Sequence, residues 1–167
     1  MDELPQQDDW QQWLDSHAPK FLLFARQQAR CEADAQDLVQ DAVVEACRRQ
    51  LDGTPPPLAL VFATIRRRAI DLARREDRRA GRELLAAESM PVAWFDTSVE
   101  QRERSQLIQD AMNRLPEIYR QVLTLKVWGG LTFGQIAEVT GVPANTAASR
   151  YRYGLVELRK LTGEVLA

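Results

Sequence analysis

Eight arginines crowd residues 60–82 against three acids, giving that block a net charge of about +5. It contains no nucleotide-cradling glycine loop, so the chemistry within its reach is the binding of a polyanion rather than bond breaking. A second polar set lies nearer the carboxyl end, where Asn145, Ser149, Arg152 and Tyr153 recur at helical spacing with Ala148 among them. Amide, hydroxyl, guanidinium and phenol groups in one row can hydrogen-bond base edges or phosphates. A third set, Asp34, Asp37 and Asp41 with Arg48, marks the polar side of an earlier helix. The plain alternative for such a charge run is a solvated face.

The residue types also exclude much. Cys31 and Cys47 are the two cysteines and His17 is the single histidine. Neither a disulfide framework nor a four-ligand zinc site is expected, and no metal or other cofactor. Both thiols are expected to be buried or half-buried in helices. With His17 alone as an imidazole base, the chain is not expected to be an enzyme. The formal charge of -2 conceals a division along the chain. Residues 1–59 sum to about −6, residues 83–110 to about −4 and residues 111–167 to about +3. Arg26 cuts short the apolar cluster from Phe21 to Ala25, and the start, Met1-Asp2-Glu3, lacks a signal peptide's positive charge. Membrane insertion is not expected, and the cytoplasm is the expected location.

The elements that must hold these side chains all read as helices. Asp8 or Asp9 caps a short first helix carrying Trp10, Trp13 and Leu14. Pro19 then fits the first turn of a second, which runs through Phe21, Leu22, Phe24 and Ala25 toward Cys31. A third spans about residues 33–49 on Ala35, Leu38, Val39, Ala42 and Ala46. Gly53-Thr54-Pro55-Pro56-Pro57 ends it, because proline lacks the amide and clashes with the preceding turn. A fourth starts near Leu58 and buries Leu58, Phe62, Ile65, Ala69 and Leu72. Arg67, Asp71, Arg74 and Arg78 share another of its faces, with Arg68, Arg75, Arg79 and Arg82 alongside. An alternative use of those arginines is pairing with Asp71, Glu76 and Asp77 along the helix.

Residues 83–98 carry Met90-Pro91 and little periodicity, and read as a linker. Trp94-Phe95 within it is either a satellite cluster or an anchor. A helix over about residues 99–113 follows, then another with Pro116 at its first position and Ile118, Val122 and Leu125 buried, stopped by Gly129-Gly130. The fold class is therefore all-α, in two small helical domains of residues 1–82 and 99–167.

Residues 131–161 read as a helix-turn-helix. Thr132 caps a short helix with Gln135 as capping-box partner, and Phe133, Ile136, Ala137 and Thr140 form its inner side. Gly141 supplies the left-handed turn. In the second helix, which starts at Val142-Pro143, Ala147, Tyr151, Leu155 and Leu158 point inward. Asn145, Ala148, Ser149, Arg152 and Tyr153 point outward. Helix pairs with a glycine turn also occur in proteins that never touch DNA.

On these residues a resemblance becomes specific. Leu115-Pro116-Glu117-Ile118-Tyr119-Arg120-Gln121-Val122-Leu123, then Gly130-Leu131-Thr132-Phe133-Gly134-Gln135-Ile136-Ala137, then Asn145-Thr146-Ala147-Ala148-Ser149-Arg150 resemble region four of bacterial sigma factors, closest to the extracytoplasmic-function (ECF) group. Upstream, Asp34-Ala35-Gln36-Asp37-Leu38-Val39-Gln40-Asp41 and Ala69-Ile70-Asp71-Leu72-Ala73-Arg74-Arg75 resemble the polymerase-binding and promoter-melting parts of region two. The likeness covers most of the chain in the right order.

That resemblance implies an RNA polymerase sigma factor, with a region-two bundle and a region-four helix-turn-helix, which directs promoter recognition, melting and initiation within the holoenzyme. Its partners would be core RNA polymerase and promoter DNA, and family analogy adds an anti-sigma factor. Asp37, Gln40 and Asp41, with Arg48, would face the polymerase. Arg66, Arg67, Arg74, Arg75 and Arg78 would hold the DNA backbone at the minus-ten element, beside a pocket shaped by residues 51–58. Ser149 and Arg152 would read bases of the minus-thirty-five element, with Arg150 on a phosphate and Thr146 on a phosphate or as a cap. Asn145 and Tyr153 complete that surface, whereas Tyr151 belongs to the core. Ala148 stands where many members carry a basic residue, an arginine occupies the vicinity of the melting helix's common asparagine, and Pro143 replaces a serine-like cap. Two other functions compete: an autonomous helix-turn-helix regulator binding duplex DNA as a dimer, and a protein-interaction module, against which the arginine helix argues.

Overall fold

The computed structural model describes residues 7–80 and 102–166. Among them lie seven helices and no strand: α1 (Gln7–Gln28), α2 (Glu32–Arg48), α3 (Leu58–Ala80), α4 (Arg102–Arg114), α5 (Glu117–Val127), α6 (Phe133–Thr140) and α7 (Ala144–Leu166). The chain divides into two compact units between Val92 and Ala93. The expected linker, with Trp94 and Phe95, lies outside the described residues, as do Arg82 and Val99. No helix among the described residues is long and apolar enough to cross a membrane.

In the first unit α1, α2 and α3 each pack on the other two. α1 runs unbroken through Pro19, where the sequence suggests two helices. An internal proline removes one amide donor and crowds the carbonyl four residues back. Here the defect faces solvent, and the opposite face is aromatic: Trp13 meets His17 at 5.5 Å and His17 meets Phe21 at 6.3 Å between ring centroids. Phe62 of α3 then packs edge-on against Phe21 at 5.1 Å and Phe24 at 5.5 Å, with all three rings buried. Each such pair contributes about 0.5–1.5 kcal/mol beyond the area it buries. Ala35, Ala42 and Ala46 are fully buried on α2, small side chains that let it lie close to its neighbours.

The turn from α1 to α2 is fastened by Arg26, whose Nε and Nη2 donate to Glu32 Oε2 and Oε1 at 2.9 and 2.8 Å. Cys31 occupies the N-cap of α2 without a side-chain cap bond. It stands in the turn rather than on a packed helix face and is exposed, which corrects the expectation that both thiols are covered; Cys47 is half-buried. Glu32 and Asp34 supply the negative charge that favours a helix start.

In the second unit α7 is the spine, packed on α4, α5 and α6. α5 buries Val122, Leu123 and Leu125, but Ile118 is 46% exposed against expectation. Pro116 is the N-cap rather than the first helical residue, and Ile118 sits in an uncovered first turn beside exposed Pro116 and Glu117. Leu155, expected to point inward, is likewise exposed, and its neighbour Gly154 is buried instead. A β-carbon at Gly154 would lie 3.2 Å from both Leu123 Cδ1 and Tyr119 Cβ. α5 and α7 cross where a side chain is missing, so the inner stripe of α7 runs Ala147, Tyr151, Gly154, Leu158.

Candidate nucleic-acid and protein interfaces

The core of α3 sets the direction of its arginines. Phe62, Ile65 and Ala69 are buried, and at about 100° per residue the opposite side falls on Arg67, Arg74 and Arg78. All three are exposed, and Arg78 Nε donates to the Arg74 carbonyl at 3.3 Å. Arg75 is exposed on the flank toward α2 and lines the α2–α3 groove. Arg66 falls on the other flank and is half-buried, so the structure does not bring it into the stripe.

Two of the three acids of α3 are engaged from outside the helix. Glu76 and Asp77 are engaged by Arg30 in the turn between α1 and α2. Arg67 and Arg68 reach across to Glu45 on α2, and Arg68 Nη1 lies 3.6 Å from Asp41 Oδ2. Burial alone would raise the Glu45 carboxyl, but hydrogen bonds from Arg68 and Arg67 outweigh it and hold the group below the ordinary glutamate range. Arg74 and Arg75 make no ion pair among the described residues.

On α2 the residues Asp37, Gln40, Asp41 and Arg48 are all exposed. They fall on one face at three-, four- and seven-residue steps. Val44, 45% exposed, lies in the middle of that face. A lone apolar patch flanked by acids, an amide and a guanidinium suits a protein partner better than a nucleic acid. Asp37 and Asp41 also line the groove toward α3, together with Asp34 and Asp71.

Between α2 and α3, residues 50–57 form an ordered loop. Asp52 Oδ1 accepts from the Thr54 amide at 3.1 Å and hydroxyl at 2.7 Å, closing a turn in which Gly53 has φ +74°. Trp10 Nε1 donates to the Gly53 carbonyl at 3.1 Å, so α1 fixes the loop from outside. Pro56 is buried, while Leu51 is fully exposed.

The helix-turn-helix forms as its local chemistry dictates. Thr132 accepts from the Gln135 amide at 3.2 Å and the Gln135 side chain accepts from the Thr132 amide at 2.9 Å, a complete capping box. Gly141 closes α6 in the left-handed region with φ 72°. Ile136, Val139 and Thr140 are buried, while Phe133 packs on Tyr151 at 5.6 Å and beneath Lys126 Nζ at 4.6 Å. Half-buried Tyr151 thus serves the packing. The outer side of α7 presents Asn145, Ser149 and Arg152 in line, with Tyr153 62% exposed beside them. Thr146 and Arg150 sit half-buried on one flank.

Geometry adds residues that sequence reasoning passed over. Val156, 51% exposed, and exposed Lys160 prolong the outer row of α7, which its periodicity predicts once the helix is followed past Leu155. Arg49 and Arg68 join Arg67 around Glu45. Arg49 follows Glu45 at helical spacing, but nothing in the sequence signals the meeting with Arg67 and Arg68, which are 22 and 23 residues from Glu45.

Comparison with known proteins agrees in both units. Residues 13–79 match the family described as Sigma-70 region 2, and residues 105–158 the one described as Sigma-70, region 4. The chain is 28% identical over 152 residues to an RNA polymerase sigma-E factor of Streptomyces avermitilis, covering 91% of this chain and 84% of that one. It is 29% identical over 164 residues to the RNA polymerase sigma factor CarQ of Myxococcus xanthus, covering 95% and 92%. The ECF RNA polymerase sigma factor RpoE of Cereibacter sphaeroides is 27% identical over 146 residues, covering 86% and 80%. Among solved structures, the sigma factor RpoE in complex with the anti-sigma factor NepR from Bartonella quintana matches with a TM-score of 0.67 at 22% identity, over 92% of this chain and 96% of that one. That last likeness is one of fold.

Proposed function

Because the chain belongs to the Sigma-70 family, in its ECF group, we infer that it is an RNA polymerase sigma factor, the subunit that brings core polymerase to promoter DNA and starts transcription. The observation that carries this is the pair of Sigma-70 matches, in order, each on its own compact unit. Sigma factors are regulatory subunits, and the chain's own share of initiation is binding, orientation and strand capture rather than bond making.

Each surface then takes a role. Residues 1–82 form the polymerase and minus-ten domain, residues 83–98 the linker and residues 99–167 the minus-thirty-five domain. The face of Asp37, Gln40, Asp41 and Arg48 docks on core polymerase, with exposed Val44 giving it an apolar centre. Arg67, Arg74, Arg75 and Arg78 hold the backbone of the minus-ten DNA, Arg66 supporting them from one flank. Guanidinium suits this task because its planar fork of donors matches a phosphate and never loses its charge. Asn145, Ser149 and Arg152 enter the major groove at the minus-thirty-five element, with Thr146, Arg150 and Tyr153 at its edges. The outward polar row along α7, exposed at Asn145 and Arg152 and half-buried at Ser149, supports that assignment. A protein antagonist of the anti-sigma kind is a further partner, in line with the complex of the Bartonella relative. The site of action is the cytoplasm, where polymerase and promoter are.

Purified chain added to core polymerase is expected to yield promoter-specific transcripts from a library of genomic fragments, with little specific DNA binding in its absence. Specific duplex binding as a two-fold dimer without polymerase, and no initiation with it, would overturn this reading.

A further inference from the structure

Three arginines converge on one carboxylate at the edge of the α2–α3 groove. Arg49 Nη2 lies 3.1 Å from Glu45 Oε1, Arg67 Nη2 reaches the same oxygen, and Arg68 Nε donates to Oε2 at 2.8 Å. The Glu45 side chain is 23% exposed, against 51%, 48% and 38% for Arg49, Arg67 and Arg68. The acid therefore lies beneath the guanidinium groups, and their outer edges face solvent. A carboxylate accepts about four hydrogen bonds, whereas three guanidinium groups carry about fifteen donors, so most of the donors remain for something else. Three arginines outnumber the two acids they touch, Glu45 and Asp41, although Asp34, Asp37 and Asp71 also line the groove.

An isolated surface ion pair contributes only about 0–1 kcal/mol, so stability alone is a weak reason to gather three like charges here. We infer that Arg49, Arg67 and Arg68, buttressed by Glu45, form a receiving site for one backbone phosphate of promoter DNA, which rests on the reading of α3 as the minus-ten helix. Two features favour phosphate over an acidic protein surface. Arg67, Arg74 and Arg78 share the exposed side of α3 at seven- and four-residue steps, with Asp71 on the turn between the first two, a row of mainly positive charge along which a polyanion can lie. Arg49 closes the carboxyl end of α2 beside the loop of residues 50–57, extending that row sideways onto a second element. Arg49 lies off the α2 surface assigned to polymerase, whereas Arg68 borders it through Asp41.

The test is the salt dependence of holoenzyme binding to labelled promoter DNA, read by fluorescence anisotropy. Neutralising one phosphate contact lowers the slope of log affinity against log salt by about 1. The double variant Arg49→Gln/Arg68→Gln is expected to lose that much, equally on promoters of different sequence. Arg49→Lys/Arg68→Lys, which keeps the charge, should keep the slope. Arg49→Glu, at the exposed helix end, repeats the test should the double variant fold poorly. An unchanged slope, or a loss of core-polymerase affinity with the slope intact, overturns the proposal. If Arg74→Ala/Arg75→Ala also leaves promoter binding unchanged, the reading of α3 itself fails; if that variant loses binding while the glutamine pair does not, only the phosphate site fails.

Discussion

Arg26 and Glu32 meet through two parallel hydrogen bonds, with the Arg26 side chain 10% exposed and Glu32 44% exposed. The hydrogen bond from Arg26 is the main cause that holds the Glu32 carboxyl below its ordinary range. A carboxyl depressed in the folded state takes up its proton first in the unfolded chain, so its contribution is complete above about pH 4.3 and is lost as pH falls through the folded value. Glu45 behaves in the same sense. Arg26→Gln should lower the thermal midpoint at pH 7 and flatten the decline between pH 5 and 3, as followed by circular dichroism. An acid limb as steep as the parent's would contradict the linkage.

His17 gives the chain a second pH dependence. Burial first, and then Lys20, depress its pKa, and Nδ1 is buried without a hydrogen-bond partner among the described residues. The folded state therefore favours neutral imidazole. Its contribution is full above the unfolded value of about 6.5 and is lost as pH falls through the folded one. The thermal midpoint should drop between pH 7 and 5.5, and because this is the single histidine, His17→Gln should remove that drop.

The crossing of α5 and α7 at Gly154 leaves no room for a branched side chain, since Leu123 Cδ1 and Tyr119 Cβ already stand 3.2 Å from the site of a β-carbon. Gly154→Val should destabilise the second unit by about 2 kcal/mol or more in urea unfolding, the cost of overpacking. Gly154→Ala gains up to about 1 kcal/mol of helix propensity and should fall close to neutral.

The two faces of the first unit should separate in function. Arg74→Ala/Arg75→Ala is expected to cut open-complex formation at least tenfold, read by permanganate reactivity, with core-polymerase affinity retained. Asp37→Ala and Gln40→Ala should do the reverse. Equal losses from both sets would show that the surfaces are misassigned.

Base readers and phosphate contacts on α7 leave different signatures. Ser149→Ala or Arg152→Ala should relax the preference at one or two positions of the minus-thirty-five element by about 1–3 kcal/mol. Arg150→Ala should weaken all sequences alike and lower the salt slope by about 1. Binding-site selection with each variant distinguishes the two patterns.

What the sequence made legible was whatever depends on neighbours along the chain. The capping box of Thr132 and Gln135 spans one helical turn, and Gly141 must take the left-handed conformation to end α6. The apolar side of α3 follows from periodicity, and with it the outward direction of Arg67, Arg74 and Arg78. Features decided by a second element were not legible. Pro19 stays inside a helix whose opposite face is packed by rings from neighbouring turns and from α3. Leu155 yields its inward place to Gly154 because α5 passes there. The meeting of Arg67 and Arg68 with Glu45 exists only once α2 and α3 lie side by side.

The indole of Trp10, bonded to the Gly53 carbonyl 43 residues later, makes the opening turns of α1 a retaining wall for the proline-rich hairpin between α2 and α3. Whatever pries those turns away unmoors that hairpin without touching it. Trp10 fluorescence, isolated by converting Trp13, Trp94 and Trp128 to phenylalanine, would report that release directly.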